Sequence, residues 1–325
     1  MGYITKYGSF WGMIPQTSGR IFWVAPTDSY TVEGQTYAAG DNNDRLSPER
    51  ALRTVDFAIG QTTANIGDVI VMLPGAHSVS ATVAVDVAGI TITGIPGGVP
   101  ESRLRSNAGA SRARTTITST ETAGMIFTVT VADIEIAYIH FIPITAGAGI
   151  SSSNASDFMY VHDCTFNLGS TTQTATFGIT FPLGTGTATQ NDGSIIRNCY
   201  FLALANVGPA VRAAGTVRGL TIEQSTFELR GDAAWDDAIE STIAGSLGFL
   251  IRDCDFNEPT SATTVITNGI DTTGMTIDGS THVYRCYFTG DGKVGVNSSA
   301  TPDILTSNSW VAGTTAGRTN INATS

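Results

Sequence analysis

The chain has 325 residues, of which 42% are hydrophobic and only 14% charged, a balance that excludes a disordered polymer. A formal net charge of −11 argues against nucleic acid or an anionic membrane surface as the main partner, since both need a basic footprint. No run reaches the ~18 apolar residues of a membrane span, so no membrane insertion is expected.

The first forty residues concentrate aromatic side chains, with Tyr7, Phe10, Trp11, Phe22, Trp23 and Tyr30 in one short span. Two readings stay open for them. They cover the first turn of whatever follows, or they form an arm that docks on a partner, because tryptophan and tyrosine dominate interface hot spots. The opening residues lack a basic stretch followed by an apolar core, so no secretory signal peptide is expected.

Residues 41–64 read as a linker and a capping helix. In "LSPERALRTVDFAIG" Ser47 is placed to cap, Pro48 to take the first helical position and Glu49 the first turn. Leu52, Val55, Ala58 and Ile59 then share one apolar face, and Gly60 ends the helix. "GDVIVMLPGAHSV" and "GITITG" follow as buried strands separated by corners.

From residue 65 to about 305 one local sentence recurs. Phe141, Phe166, Phe201, Phe227, Phe256 and Phe288 each close a short strand-like segment. Two residues before them stand Ile139, Cys164, Cys199, Ser225, Cys254 and Cys286, in steps of 25, 35, 26, 29 and 32 residues. One strand-like segment per irregular period is the mark of a solenoid, and the leucine pattern of leucine-rich repeats and the longer period of propeller blades are both missing. The fold class expected is all-β, a single-stranded right-handed parallel β-helix with an N-terminal capping helix. In such a coil the cysteines form part of one inward ladder and the phenylalanines another. Each cysteine lies about a coil or more from the next, so structural thiols are expected rather than disulfides or a metal centre. No metal or other cofactor is expected. His77, His140, His162 and His282 are scattered, and structural roles suffice for them.

One acidic stretch suggests chemistry. In "RGDAAWDDAIE", Asp232, Asp236, Asp237 and Glu240 surround Trp235. Two carboxylates held about 5–10 Å apart hydrolyse a glycosidic bond when one is kept protonated and the other ionised. Trp235 is the candidate for stacking on a sugar. The competing reading is a solvated insertion between coils. Residues 306–325 lose the repeat and are expected to cover the last coil.

The helix "SPERALRTVDFAI" followed by "GDVIVMLPGAHSV" and "GITITG" resembles the opening of right-handed parallel β-helix proteins of the pectin-lyase-like superfamily. Within it the look is closest to the β-helix proteins of tailed-bacteriophage particles, such as tail spikes, fibres and head decorations. The resemblance implies a structural protein on a virion surface, assembled in the host cytoplasm. It also implies a homotrimer, attachment to other virion proteins through an N-terminal segment, and contact with cell-surface glycan. A glycan-degrading hydrolase or lyase is the alternative. The calcium-binding aspartates and basic residue of pectate lyases have no residue-by-residue match here.

Overall fold

The computed structural model describes residues 19–32, 34–95, 115–121, 124–143, 147–153, 156–170, 173–174, 177–181, 191–204, 207–229, 235–241, 244–257, 266–275, 280–290, 294–297, 304–306 and 309–312. Three long parallel sheets of ten, nine and eight strands wind around one apolar core. Each coil contributes one strand to each sheet in turn and then stacks on the coil before it. The coil beginning at Tyr160–His162, for example, continues through Thr165–Asn167 and Phe177–Phe181, and the next begins at Ile195–Arg197. The chain is a right-handed parallel β-helix. Ten strands in the first sheet give a rod of about 40 Å at the ordinary interstrand spacing.

Perfect register explains the repeat. In the first sheet Phe22, Ile70, Ile92, Ile136, Val161, Ile196, Ile222, Ile251 and Val283 form one inward column, all buried. In the second sheet the phenylalanine rings of residues 141, 166, 201, 227, 256 and 288 stack face to face. Their centroids are 4.7–4.9 Å apart and their planes within 9° of parallel. His77 and Ile117 precede them in the same column, and strand register sets position 310 beside Phe288. A third inward column, in the third sheet, is small: Gly149, Gly178, Ala210, Ala238, Gly269 and Gly295 align from coil to coil. The reason is steric, because a Cβ on Gly149 would lie 2.8 Å from the Phe166 ring and one on Gly178 would lie 3.0 Å from that of Phe201.

The corner between first and second sheets also explains a sequence signal. Tyr138, Asp163, Asn198, Gln224, Asp253 and Arg285 sit there with φ of +50° to +55°. Asn and Asp tolerate this left-handed backbone better than most side chains, which accounts for their recurrence just before the cysteine. The next residue turns inward, and all four cysteines are buried and unbridged. Their Sγ atoms approach backbone carbonyls, as Cys254 does with Arg252 O at 3.2 Å. Ser225 donates to the equivalent carbonyl of Glu223 at 3.0 Å, so a hydroxyl fits the ladder without an orphaned donor.

Three expectations need correction. The coiling starts before residue 65, because Ile21–Val24 pairs in parallel with Val69–Met72. Phe22 is fully buried in the core. Trp23 is buried on the other side of that strand, with Tyr30, Val32, Val69, Val71 and Ile95, beneath the hairpin of Ser29–Val32 and Gln35–Ala38. Neither is free to dock on a partner, so both cover and complete the first coil. Tyr7, Phe10 and Trp11 lie outside the described residues. At the other end the repeat continues past 306, since Ile304–Thr306 and Ser309–Ala312 still pair with the preceding coil.

The third correction concerns the expected single helix, which is broken. Pro48–Arg50 is a short 3-10 turn, and the α-helix, α1, is only Val55–Ile59. Between them Leu52 is extended, donating its N–H to Trp23 O at 2.7 Å and accepting from Ala25 N at 2.9 Å. Bonding to the open edge of the first strand outweighs helical propensity here, because an uncovered edge leaves unpaired backbone groups. Thr54, not Ser47, caps the helix by accepting from Phe57 N at 3.2 Å. The apolar face still packs as expected, with Leu52, Val55, Ala58 and Ile59 all buried.

Candidate functional site

From Trp235 onward the acidic stretch is a strand and not a solvated insertion. Trp235–Ser241 belongs to the third sheet, where Val211 and Ile270 flank Ile239 in a buried column beside the small one. Asp232 lies outside the described residues, as do the side chains of Trp235 and Asp236. Asp237 accepts a hydrogen bond from Asn268 Nδ2 at 2.6 Å, on the following coil. Glu240 faces the preceding coil, where Arg212 Nε lies 3.2 Å from its Oε2. That nitrogen forms no hydrogen bond among the described residues, so the attraction is Coulombic, and the guanidinium rests over the Phe177 ring at 5.0 Å. The two described carboxylates are thus engaged by opposite neighbours.

A denser polar constellation stands on the outer face of the first sheet, around a histidine for which a structural role alone is expected from the sequence. His162 is clamped between two carboxylates, with Nε2 2.9 Å from Glu135 Oε1 and Nδ1 2.7 Å from Asp163 Oδ2. Its ring stacks on Tyr160 at 4.3 Å and meets the edge of Tyr138 at 5.7 Å. Burial alone would lower the imidazole pKa, but the hydrogen bonds to Asp163 and Glu135 outweigh it and raise the value to about 9. The hydrogen bond from His162 holds the Glu135 carboxyl below its usual range, and Thr91 Oγ1 adds a bond of 2.8 Å. Asn198 bonds the remaining oxygen of Asp163. Burial, with the Asp163 charge beside it, pushes the Tyr138 hydroxyl up to about 12.

The polar column continues coil by coil. Arg197 lies 3.4 Å from Glu223, and Glu223 takes Arg252 at 2.5 Å. Arg252 donates on to the Tyr284 hydroxyl at 3.1 Å. One corner further round, Arg285 grips Asp253 through two bonds of 2.7 Å. At neutral pH this face carries an imidazolium, guanidiniums and carboxylates fixed against one another. Such an array holds charge in place and presents donors and acceptors, and His162 is saturated rather than poised as a base.

Two histidines are buried on the second sheet. His77 heads the phenylalanine column beside a cleft of about 240 Å³ between Thr54–Asp56 and Ser78–Val83. Burial lowers its pKa to about 4, and the neutral ring donates Nε2–H to Leu73 O at 2.8 Å. His140 is also brought to about 4 by burial, and neither ring nitrogen has a partner among the described residues. The thiols of Cys164 and Cys254 are pushed up by burial and so disfavoured as nucleophiles. Among the described residues no group of His, Cys, Asp and Glu is arranged to hold a metal ion.

No family model matches the chain, and no curated protein matches its sequence. Solved structures match its shape at low identity. Pectin methylesterase PemA from Erwinia chrysanthemi is 10% identical, with 85% of this chain and 80% of that chain covered and a TM-score of 0.45. The Dettilon tailspike protein is 12% identical over 85% of this chain and 60% of that chain, with a TM-score of 0.40. Pectate lyase Pel9A is 13% identical over 88% of this chain and 79% of that chain, with a TM-score of 0.37. The likeness is one of coil architecture, and it assigns no residue a role.

Proposed function

We propose that the protein is a structural element displayed on the surface of a phage-like particle, as a head decoration or a tail fibre or spike subunit. Its work is rigid presentation of a face to the surroundings, including host-surface glycan. The observation that supports this reading most is how the outward polar side chains are used. From Glu135 to Arg285 they bind one another across coils and so stiffen the rod. An interior of stacked rings in a single register adds resistance to local opening. Attachment to the particle falls to residues 1–18, since Phe22 and Trp23 are committed to the first coil. A homotrimer is part of the proposal.

The test is light scattering on the purified chain, followed by sedimentation of the chain with purified particles. A mass near three chains and co-sedimentation that is lost on deleting residues 1–18 support the proposal. A monomer that ignores particles sinks it. If that monomer releases reducing ends from polysaccharide and Asp237→Asn or Glu240→Gln stops the release, the hydrolase reading replaces it.

A further inference from the structure

Ahead of seven strands of the first sheet, those beginning at Val69, Thr91, Glu135, Tyr160, Ile195, Thr221 and Leu250, the chain turns through a left-handed residue two positions before the strand. Glycine fills that position as Gly67, Gly89, Gly193, Gly219 and Gly248, with φ of +67° to +75°. Phe158 breaks the column with φ of +56°, a costly backbone for a bulky side chain. The ring gains little shelter in return, since Phe158 remains 60% exposed. Its underside is seated on Gly193 of the following coil, where a Cβ would stand 2.8 Å from two ring atoms. Ile195, two residues after Gly193, is 36% exposed.

The rim of this platform is acidic. Asp133 takes the same corner position one coil earlier, also left-handed. Asp157 precedes Phe158 in the chain, and its Oδ1 accepts from Asp192 N at 2.9 Å. Phe158 N in turn donates to Asp192 O at 2.8 Å, and the buried Oδ1 of Asp192 has no hydrogen-bond partner among the described residues. An exposed aromatic face bordered by carboxylates, on a chain of net charge −11, is complementary to a cation. A strained residue retained on the surface points to a role in recognition rather than in packing.

We infer that this corner docks a basic segment of a partner protein. An arginine or lysine of that segment lies over the outer face of Phe158, with Asp133, Asp157 and Asp192 around it. The inference does not depend on where the protein is displayed. Arg218, in register with Asp192 on the next coil, is exposed and makes no ion pair among the described residues, so it limits the approach of a cation from that side.

The test uses the full chain and a labelled tetra-arginine peptide in fluorescence anisotropy, with a neutral glycine-serine peptide as control. Phe158→Gly leaves every charge in place and is expected to weaken tetra-arginine binding about two- to five-fold. Its thermal midpoint is expected to hold or rise, because glycine suits this backbone. The double change Asp157→Asn with Asp192→Asn weakens binding further and flattens its salt dependence, while Arg218→Gln tightens it. Unchanged affinity in Phe158→Gly would show that net charge alone attracts the peptide and would overturn the inference. A markedly lower midpoint for that variant would make the ring structural and overturn it too. Equal binding of the neutral peptide, or Phe158-dependent binding of a neutral oligosaccharide instead, rules out a basic partner.

Discussion

The packing of the phenylalanine ladder against the small-residue column predicts a specific energetic coupling. Phe201 is fully buried between Phe166 and Phe227, at 4.8 and 4.9 Å. Phe201→Ala should cost about 3–5 kcal/mol, of which each lost ring stack accounts for about 0.5–1.5 kcal/mol. Gly178→Ala should cost about 1–3 kcal/mol by overpacking. The added methyl would stand 3.0 Å from the Phe201 ring and 2.7 Å from Ala210 O. In the double variant the ring is gone, so that part of the clash disappears while the contact with the carbonyl remains. The double cost should therefore fall about 1 kcal/mol below the sum of the singles, within the range found for touching residues. Urea unfolding followed by far-ultraviolet circular dichroism and tryptophan fluorescence measures this, provided the m-values agree between variants. Costs that add to within about 0.3 kcal/mol would refute the account of why the column is small.

Two pH predictions follow from the histidines, with opposite signs. His162 is held protonated, so its contribution is complete below about 6.5, the unfolded value, and is lost as pH rises through about 9. The displacement corresponds to about 3 kcal/mol at most, shared with Glu135 and Asp163. The thermal midpoint of the native chain should fall between pH 7 and 10, and His162→Gln should start lower and decline less over that interval. An equal decline in both proteins would count against the clamp. His140 is held neutral instead, so its burial costs stability as pH falls from 6.5 through about 4, by up to about 3 kcal/mol. His140→Leu should flatten the midpoint over that acid interval. If the variant follows the native acid curve, the burial of the His140 imidazole is not what limits acid stability.

What made the coil legible was identity of side-chain shape at a fixed offset. Cysteine and phenylalanine two residues apart survive variable insertions because the one-residue corner before them has constant length. The small column escaped reading for the converse reason. Gly149, Gly178, Ala210, Ala238, Gly269 and Gly295 follow their ladder phenylalanines by 8, 12, 9, 11, 13 and 7 residues, so no fixed spacing reveals them. The strand Ile21–Val24 is hard to read in the sequence because the strand it pairs with, Val69–Met72, lies 48 residues on and its aromatics suggest an interface. The broken helix shows an edge strand overriding a good helical pattern, with Leu52 serving both.

The outward chemistry was hidden by the same geometry that made the interior plain. Glu135 and His162 stand 27 residues apart, and Glu223 and Arg252 29 apart, so in the chain they look like isolated charges. Only when strands are laid in register do they become neighbours, and then the informative residues are those that depart from their column. An inward column repeats because packing selects one shape at every coil. A corner column repeats glycine because the backbone demands it. Phe158 satisfies neither demand: it is strained where glycine would not be, and exposed where an aromatic could have been buried. In a solenoid, packing explains what repeats, and a costly exception on the surface must be explained by what the surface meets. We therefore place the recognition chemistry of this chain at the Phe158 corner, apart from the better-paired carboxylates of the third sheet.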